Sequence, residues 1–279
     1  MKKRIIAVCC VLLLISGIVY IWHGNRTVRL TETEFSSDRL SAAFDGFTVA
    51  HVSDLHNASF GKDQKRLLAQ VRGANPDMIV VTGDIIDSRR TDTEPALTFM
   101  REALEIAPVY YVTGNHEARI DEFPEFEQEL LSLGVTVMRN ETAEIERGGE
   151  KIYLVGIDDP LFIMRGEALT ESEAVMRELD GQGGDGFTLL LAHRPELIED
   201  YASFGADLVL SGHAHGGQIR IPFIGGLYAP GQGFFPEYTS GEISFGGTSG
   251  IVSRGLGNSL FPFRVNNDPE VVAIKLRRG

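Results

Sequence analysis

Apolar residues run almost unbroken from Ile5 to Trp22, directly behind Lys2, Lys3 and Arg4. Eighteen residues at about 1.5 Å each span roughly 27 Å, close to one bilayer hydrocarbon core. Tyr20 and Trp22 fall where an interfacial aromatic belt would lie. The run ends in Tyr-Ile-Trp-His-Gly-Asn, without the small-x-small site of a cleaved signal peptide. An uncleaved anchor is expected over residues 1–24, with a cleaved signal as the alternative. Positive charge ahead of the run places the N terminus in the cytoplasm and the following domain outside; Arg26 and Arg29 weaken that assignment.

Residues 25–45 are polar and mixed, and predict a tether plus an edge strand. An alternation then begins. Short β-rich runs at 47–52, 77–81, 109–112 and 135–138 are separated by helical spacings at 62–72, 94–106 and 122–133. That order predicts an α/β fold with a largely parallel core. Further on, 151–157, 187–192, 207–210, 218–221, 250–253 and 271–276 read as strands, with helices at 167–179 and 195–204 and a loop at 181–186. The expected architecture is two packed mixed β-sheets flanked by helices, forming one catalytic domain over 46–279 behind a single transmembrane helix.

Composition narrows the function. The formal charge is −13, the opposite of a basic nucleic-acid footprint, so nucleic acid is not an expected partner. Cys9 and Cys10 both lie in the apolar run, so the domain has neither a disulfide framework nor thiolate ligands.

The chemistry-bearing residues follow strands. Asp54 and His56 come after 47–52, Asp84 and Asp87 after 77–81, and Asn115, His116 and Glu117 after 109–112. His193 follows 187–192, and His213 and His215 follow 207–210. Open α/β sheets bind ligands beyond the carboxyl ends of their strands. Oxygen and imidazole donors suit Mn, Zn or Fe. Glycines before Asp84, Asn115 and His213 are expected to permit sharp turns. Ligands spaced by one residue, as in Asp54/His56 and His213/His215, can share one side of an extended chain.

Asp54-x-His56, Gly83-Asp84, Gly114-Asn115-His116-Glu117, His193 and Gly212-His213-Ala214-His215 stand in the order of the motif blocks of the calcineurin-like metallophosphoesterases, which the chain resembles over about 46–222. Arg254-Gly255-Leu256-Gly257, with Arg264, Asn267 and Pro269-Glu270-Val271, is similar to its small membrane-attached bacterial subgroup. The resemblance implies two divalent ions. One would be held by Asp54, His56 and His215, the other by Asn115, His193 and His213, with Asp84 bridging. His116, free of metal, would be the catalytic proton or hydrogen-bond donor to the leaving oxygen. The implied reaction is hydrolysis of a phosphodiester, phosphomonoester or pyrophosphate. Its substrate would be a phosphorylated small molecule or a lipid-linked one, such as a nucleotide-linked diacylglucosamine. A membrane-tethered scaffold without activity is the competing reading.

Other residues carry weaker expectations. His51 is a core residue or one that supports a ligand from behind, and His23 a membrane-boundary one. Asp87 orients a ligand or caps a helix. Glu117 fixes a histidine tautomer. Arg194 and Arg254 contact phosphate or brace loops. Leu161–Met164, Pro222-Phe223 and Phe234-Phe235-Pro236 belong to the core or form an apolar lip over the site.

Overall fold

The computed structural model describes residues 1–279. The expected strands and helices are present, most of them displaced by one to three residues. In chain order the strands are β1 (Arg29–Ser37), β2 (Thr48–Val52), β3 (Met78–Thr82), β4 (Val109–Val112), β5 (Thr136–Val137), β6 (Glu141–Arg147), β7 (Glu150–Gly156), β8 (Thr188–Leu191) and β9 (Leu208–Ser211). Two small hairpins follow, β10 (Arg220–Ile221) with β11 (Gly225–Gly226) and β12 (Tyr228–Ala229) with β13 (Gly233–Phe234). The last strands are β14 (Gly241–Phe245), β15 (Thr248–Val252) and β16 (Glu270–Arg278). The first six-stranded sheet has the order β1-β16-β2-β3-β4-β5 and the second β14-β15-β9-β8-β7-β6. β2, β3, β4 and β5 pair in parallel, as do β7, β8, β9 and β15. Within each sheet the parallel strands therefore deliver their carboxyl ends to one edge.

The sheets face each other across an apolar layer. Val49, Val80, Val112 and Ile274 from the first meet Leu154, Leu189, Leu191 and Leu210 from the second. Outside the first sheet pack α2 (Lys65–Gly73), α3 (Glu94–Leu104) and α4 (Phe123–Leu133). Outside the second pack α6 (Glu171–Leu179) and α7 (Ile198–Phe204). The central strands are buried on both faces, so they read as continuous apolar runs. The N-terminal helix α1 (Lys2–Gly24) buries none of its residues, and it is long and apolar enough to cross a membrane.

Several expectations needed correction. The helix predicted from 167 begins at Glu171, because Thr170 and Glu173 form a reciprocal capping box there. A short helix α5 (Pro160–Ile163) precedes it, with Asp159 accepting from Leu161 N. The strand at 218–221 shrinks to Arg220–Ile221 because Gln218 turns away with φ +60°. β6 and β14 were not anticipated. The sequence of β6, Glu-Thr-Ala-Glu-Ile-Glu-Arg, carries two apolar residues, and it forms through its hairpin to β7 across Gly148-Gly149. In 161–164 the Phe162 ring tilts against Phe123, with centroids 5.0 Å apart, and packs on the main core, so Phe162 takes the core alternative.

Candidate metal centre

Asp54, His56, Asp84, Asn115, His116, His193, His213 and His215 are all buried, and they converge where β2, β3, β4, β8 and β9 end. His56 Nε2 lies 3.2 Å from His215 Nε2, and these nitrogens stand 3.8 and 3.5 Å from Asp54 Oδ1. On the other side, His193 Nε2 is 3.1 Å from His213 Nδ1 and 3.3 Å from Asp84 Oδ2. Asp84 Oδ2 is also 3.7 Å from His56 Nε2, so its carboxylate stands between the two groups. Asp54/His56/His215 and Asp84/His193/His213 each bring their ligand atoms within 4.8 Å of one another, and so does the set His56/Asp84/His116.

The backbone is strained to achieve this. Asp54, His56, Asp84, His213 and His215 have φ between +45° and +65°, a region that costs a non-glycine residue of order 1–3 kcal/mol. Their convergence therefore comes from left-handed turns, and the expected extended-chain pairing is not used. Among the motif glycines, Gly83 has φ +84°. Gly114 and Gly212 matter for space instead, because a Cβ would strike Asp84 at the first and Ser53 and Asp54 at the second.

For His193 a backbone contact decides which imidazole nitrogen faces inward. Thr82 O, 2.7 Å away, takes the Nδ1 proton of His193, leaving Nε2 free. Glu196, part-buried and without a hydrogen-bond partner on either oxygen, lies 3.6 Å from His213 Nε2. Asn115 presents its amide oxygen 2.8 Å from His213 Nδ1 and its nitrogen toward His116 N and Arg119. Turned over, the amide would gain hydrogen bonds; as placed, its oxygen is oriented as a ligand.

Electrostatics point the same way. Burial would raise Asp54 and Asp84, yet the surrounding imidazoles hold both below the usual carboxylate range. Burial would lower His193, but Asp84, Asp54 and Asp159 raise it to about 10. Two buried carboxylates thus demand positive charge. Converged lone-pair donors with little else to bond suit divalent cations.

The remaining candidates have distinct places. Asp87 starts no helix; it accepts from Arg89 N at 2.9 Å and pairs with the Arg89 guanidinium at 3.0 Å, closing a turn before α3. Glu117 contacts no histidine. Its carboxylate accepts from the backbone amides of Asp84, Ile85 and Gly114 at 2.8 Å and Ile86 at 3.2 Å, clamping the β3 and β4 turns together. Burial, then Asp84, pushes its pKa to about 7. Arg194 is buried and bonded to Asp159 at 2.7 and 3.0 Å, with a further pair to Glu171. Arg254 is tied to Glu270, its backbone N donating to Oε1 at 2.9 Å. His51 is a core residue, with Nε2 2.8 Å from Thr82 Oγ1.

His116 Nδ1 accepts from Ser88 N at 3.0 Å, so Nε2 carries the proton in the neutral ring. That nitrogen is 3.3 Å from Ser259 Oγ. A proton there makes Nε2 a donor toward the cleft and a poor ligand. The cleft has a volume of about 560 Å³, with His56, Asp87, Arg89 and Ser259 in its walls. Sequence reasoning missed Glu196, in the short helical turn Pro195–Leu197 ahead of α7, and Ser259, in a loop, because no motif marks either. Arg264 and Asn267 were noted only through the resemblance. Arg264 Nη2 stands 3.3 Å from His215 Nδ1, and Asn267 Nδ2 donates to His215 O at 2.7 Å.

A two-sheet sandwich gathering carboxylates, an amide oxygen and imidazoles at facing strand ends defines a dinuclear metal-dependent phosphoester hydrolase. The chain belongs to the calcineurin-like phosphoesterase family, whose model matches residues 47–217. It is 30% identical over 255 residues to the uncharacterized metallophosphoesterase YkuE of Bacillus subtilis, covering 90% of this chain and 86% of that one. It is 30% identical to the phosphodiesterase YaeI of Escherichia coli, covering 82% of each. A zebrafish transmembrane protein with a metallophosphoesterase domain is 27% identical across 81% of this chain and 55% of its own length.

Proposed function

We propose that this is a single-pass membrane-anchored phosphodiesterase acting on a phosphoester at or near the membrane, with α1 as the anchor and residues 46–279 as the catalytic domain on the outer face. The observation that carries the reading is the convergence of buried carboxylate and imidazole ligand atoms, each set within 4.8 Å of one another, at the ends of five strands. Asp54, His56 and His215 would hold one ion, Asn115, His193 and His213 the other, and Asp84 both. The likeness to YaeI favours a diester, and the apolar helix favours a lipid-linked or envelope substrate such as a glycolipid pyrophosphate.

What two such ions supply when bound is charge at the attacking and leaving oxygens of an in-line displacement, and an acidified water. Mn, Zn and Fe all fit the donors. The chain's residues do the rest. Asp84 offsets the repulsion between two cations, Glu117 holds the two turns that carry Asp84 and Asn115, and His116 Nε2–H donates to the leaving oxygen. The test uses the purified full chain in lipid nanodiscs with a panel of monoesters, diesters and pyrophosphates. Diester hydrolysis should vanish with chelator and return with Mn²⁺. Undiminished turnover by metal-free protein, or turnover of none of the panel, would overturn the reading.

A further inference from the structure

Outside α1, the large exposed apolar residues are concentrated on three loops. Phe223, Ile224, Phe234, Phe235 and Leu260 are each more than half exposed, and Phe261 more than a third. The loops form one unit. The Tyr228 ring lies 5.3 Å from Phe234 and 6.2 Å from Phe261. Leu227 N donates to Ile219 O, Phe235 N to Leu227 O and Arg220 N to Val265 O, at 2.8–2.9 Å. Neither Ile221 to Pro236 nor Gly255 to Phe263 contains a charged residue, although 23% of the chain is charged. Phe223 and Phe235 are held at φ +66° and +56°, where a bulky side chain is strained. Contiguous exposed apolar surface of this kind marks an interaction site.

The position of this rim relative to α1 identifies what covers it. Tyr20 Oη donates to Asn266 Oδ1 at 2.7 Å. The Asn25 side chain accepts from Arg264 N at 2.8 Å and from Asn258 Nδ2 at 3.2 Å, fixing the helix exit to the same loop. Ile18, Ile21 and Trp22 share a groove of about 570 Å³ with Pro262 and Phe263. Ile18 precedes Trp22 by about 6 Å along the helix axis, so a wall shared by Ile18 and Phe263 places that loop within the end of the apolar span. Interfacial apolar faces sit about 5–10 Å into the headgroup and acyl boundary.

We infer that the loops 222–224, 234–235 and 260–263 form a second membrane contact, seated in the outer part of the bilayer that α1 spans. The inference rests on reading α1 as the anchor. It holds the domain in one orientation and sets the cleft at the lipid surface, because the same loop supplies Asn258 and Ser259 to the cleft wall and Ser259 contacts His116. A phosphoester in a lipid headgroup then lies level with the ligand cluster.

Trp22 is the single tryptophan, which makes a depth measurement direct. The full chain is placed in nanodiscs with and without acyl-brominated phospholipid, and tryptophan fluorescence is compared. Wild type reports α1. Phe234→Trp and Phe261→Trp, each with Trp22→Phe, report the rim. Phe245→Trp in the same background is the control, because it pairs with Thr248 at the sheet end remote from the site. Hydrolysis of a small soluble diester by each variant checks that it is folded. The rim variants should lose half or more of their fluorescence to the brominated lipid, and the control should lose almost none. Quenching of Trp22 with rim tryptophans as bright as the control would overturn the inference and leave a protein partner as the occupant of the rim. An unquenched Trp22 would overturn the anchor reading itself.

Discussion

Ser88 N fixes His116 Nδ1 as an acceptor, and the proton left on Nε2 gives this residue a kinetic signature. A preorganised hydrogen bond to charge developing on the leaving oxygen contributes about 10²–10³-fold, and counts most where the leaving group is poor. His116→Ala should therefore keep both ions and lose roughly that factor in kcat on alkyl esters. The loss should be far smaller on nitrophenyl esters, whose leaving groups depart unaided. Metal content measured alongside the two rates decides it, because loss of metal with a uniform rate loss would make His116 a ligand. Glu117 has a different signature. Its two oxygens serve four backbone amides, and a glutamine would turn an NH₂ toward some of those N–H groups. Glu117→Gln should cost about 1–3 kcal/mol per stranded donor. Thermal denaturation should show a lowered Tm, with metal occupancy falling in parallel as the two turns loosen.

At the scale of elements, legibility follows burial. β2, β3, β8 and β9 are almost wholly buried, so their apolar runs were readable and their ends located the buried Asp and His residues that converge. β6 and β14 lie at the edges of the second sheet, where one strand neighbour and solvent replace a core, and hydrophobic pattern carries little signal there. The same limit applies to Glu196. It approaches His213 by the path of the turn after β8, a tertiary accident that no spacing encodes. For Arg194 the sequence left phosphate contact and loop bracing open, and the structure shows the guanidinium joined to Asp159 at the start of α5 and Glu171 at the start of α6. Arg194→Ala would leave the buried Asp159 charge unpaired, a loss of about 3–5 kcal/mol. Chemical denaturation should register that loss. KM for a small diester should stay close to wild type, whereas a several-fold rise would mean the arginine reaches substrate.

At the scale of the molecule, an acidic chain of charge −13 builds its most polar region from buried carboxylates and imidazoles. Removing two cations from such a place should destabilise the fold. Asp54 and Asp84 are both buried and depend on neighbouring positive charge, for which the fold supplies imidazolium at His193 and the buried Arg264 guanidinium that acts on Asp54. A ligand present at a hundred times its dissociation constant stabilises by about 2.7 kcal/mol. For a domain of this size each kcal/mol moves Tm by roughly 2–4 °C. Stripping the ions should thus lower Tm by roughly 5–10 °C for each site emptied, and Mn²⁺ should restore it. Asp84→Asn separates this from nonspecific metal binding, because the amide removes the charge between the two sites while nearly preserving shape. In that variant the Mn²⁺-dependent rise in Tm should shrink by half or more. The metal-free Tm should meanwhile rise toward wild type or above it, since one uncompensated buried charge is gone. Calorimetry of both proteins with and without Mn²⁺ provides the four values, and an undiminished Mn²⁺ response in Asp84→Asn would remove that carboxylate from the centre of the site.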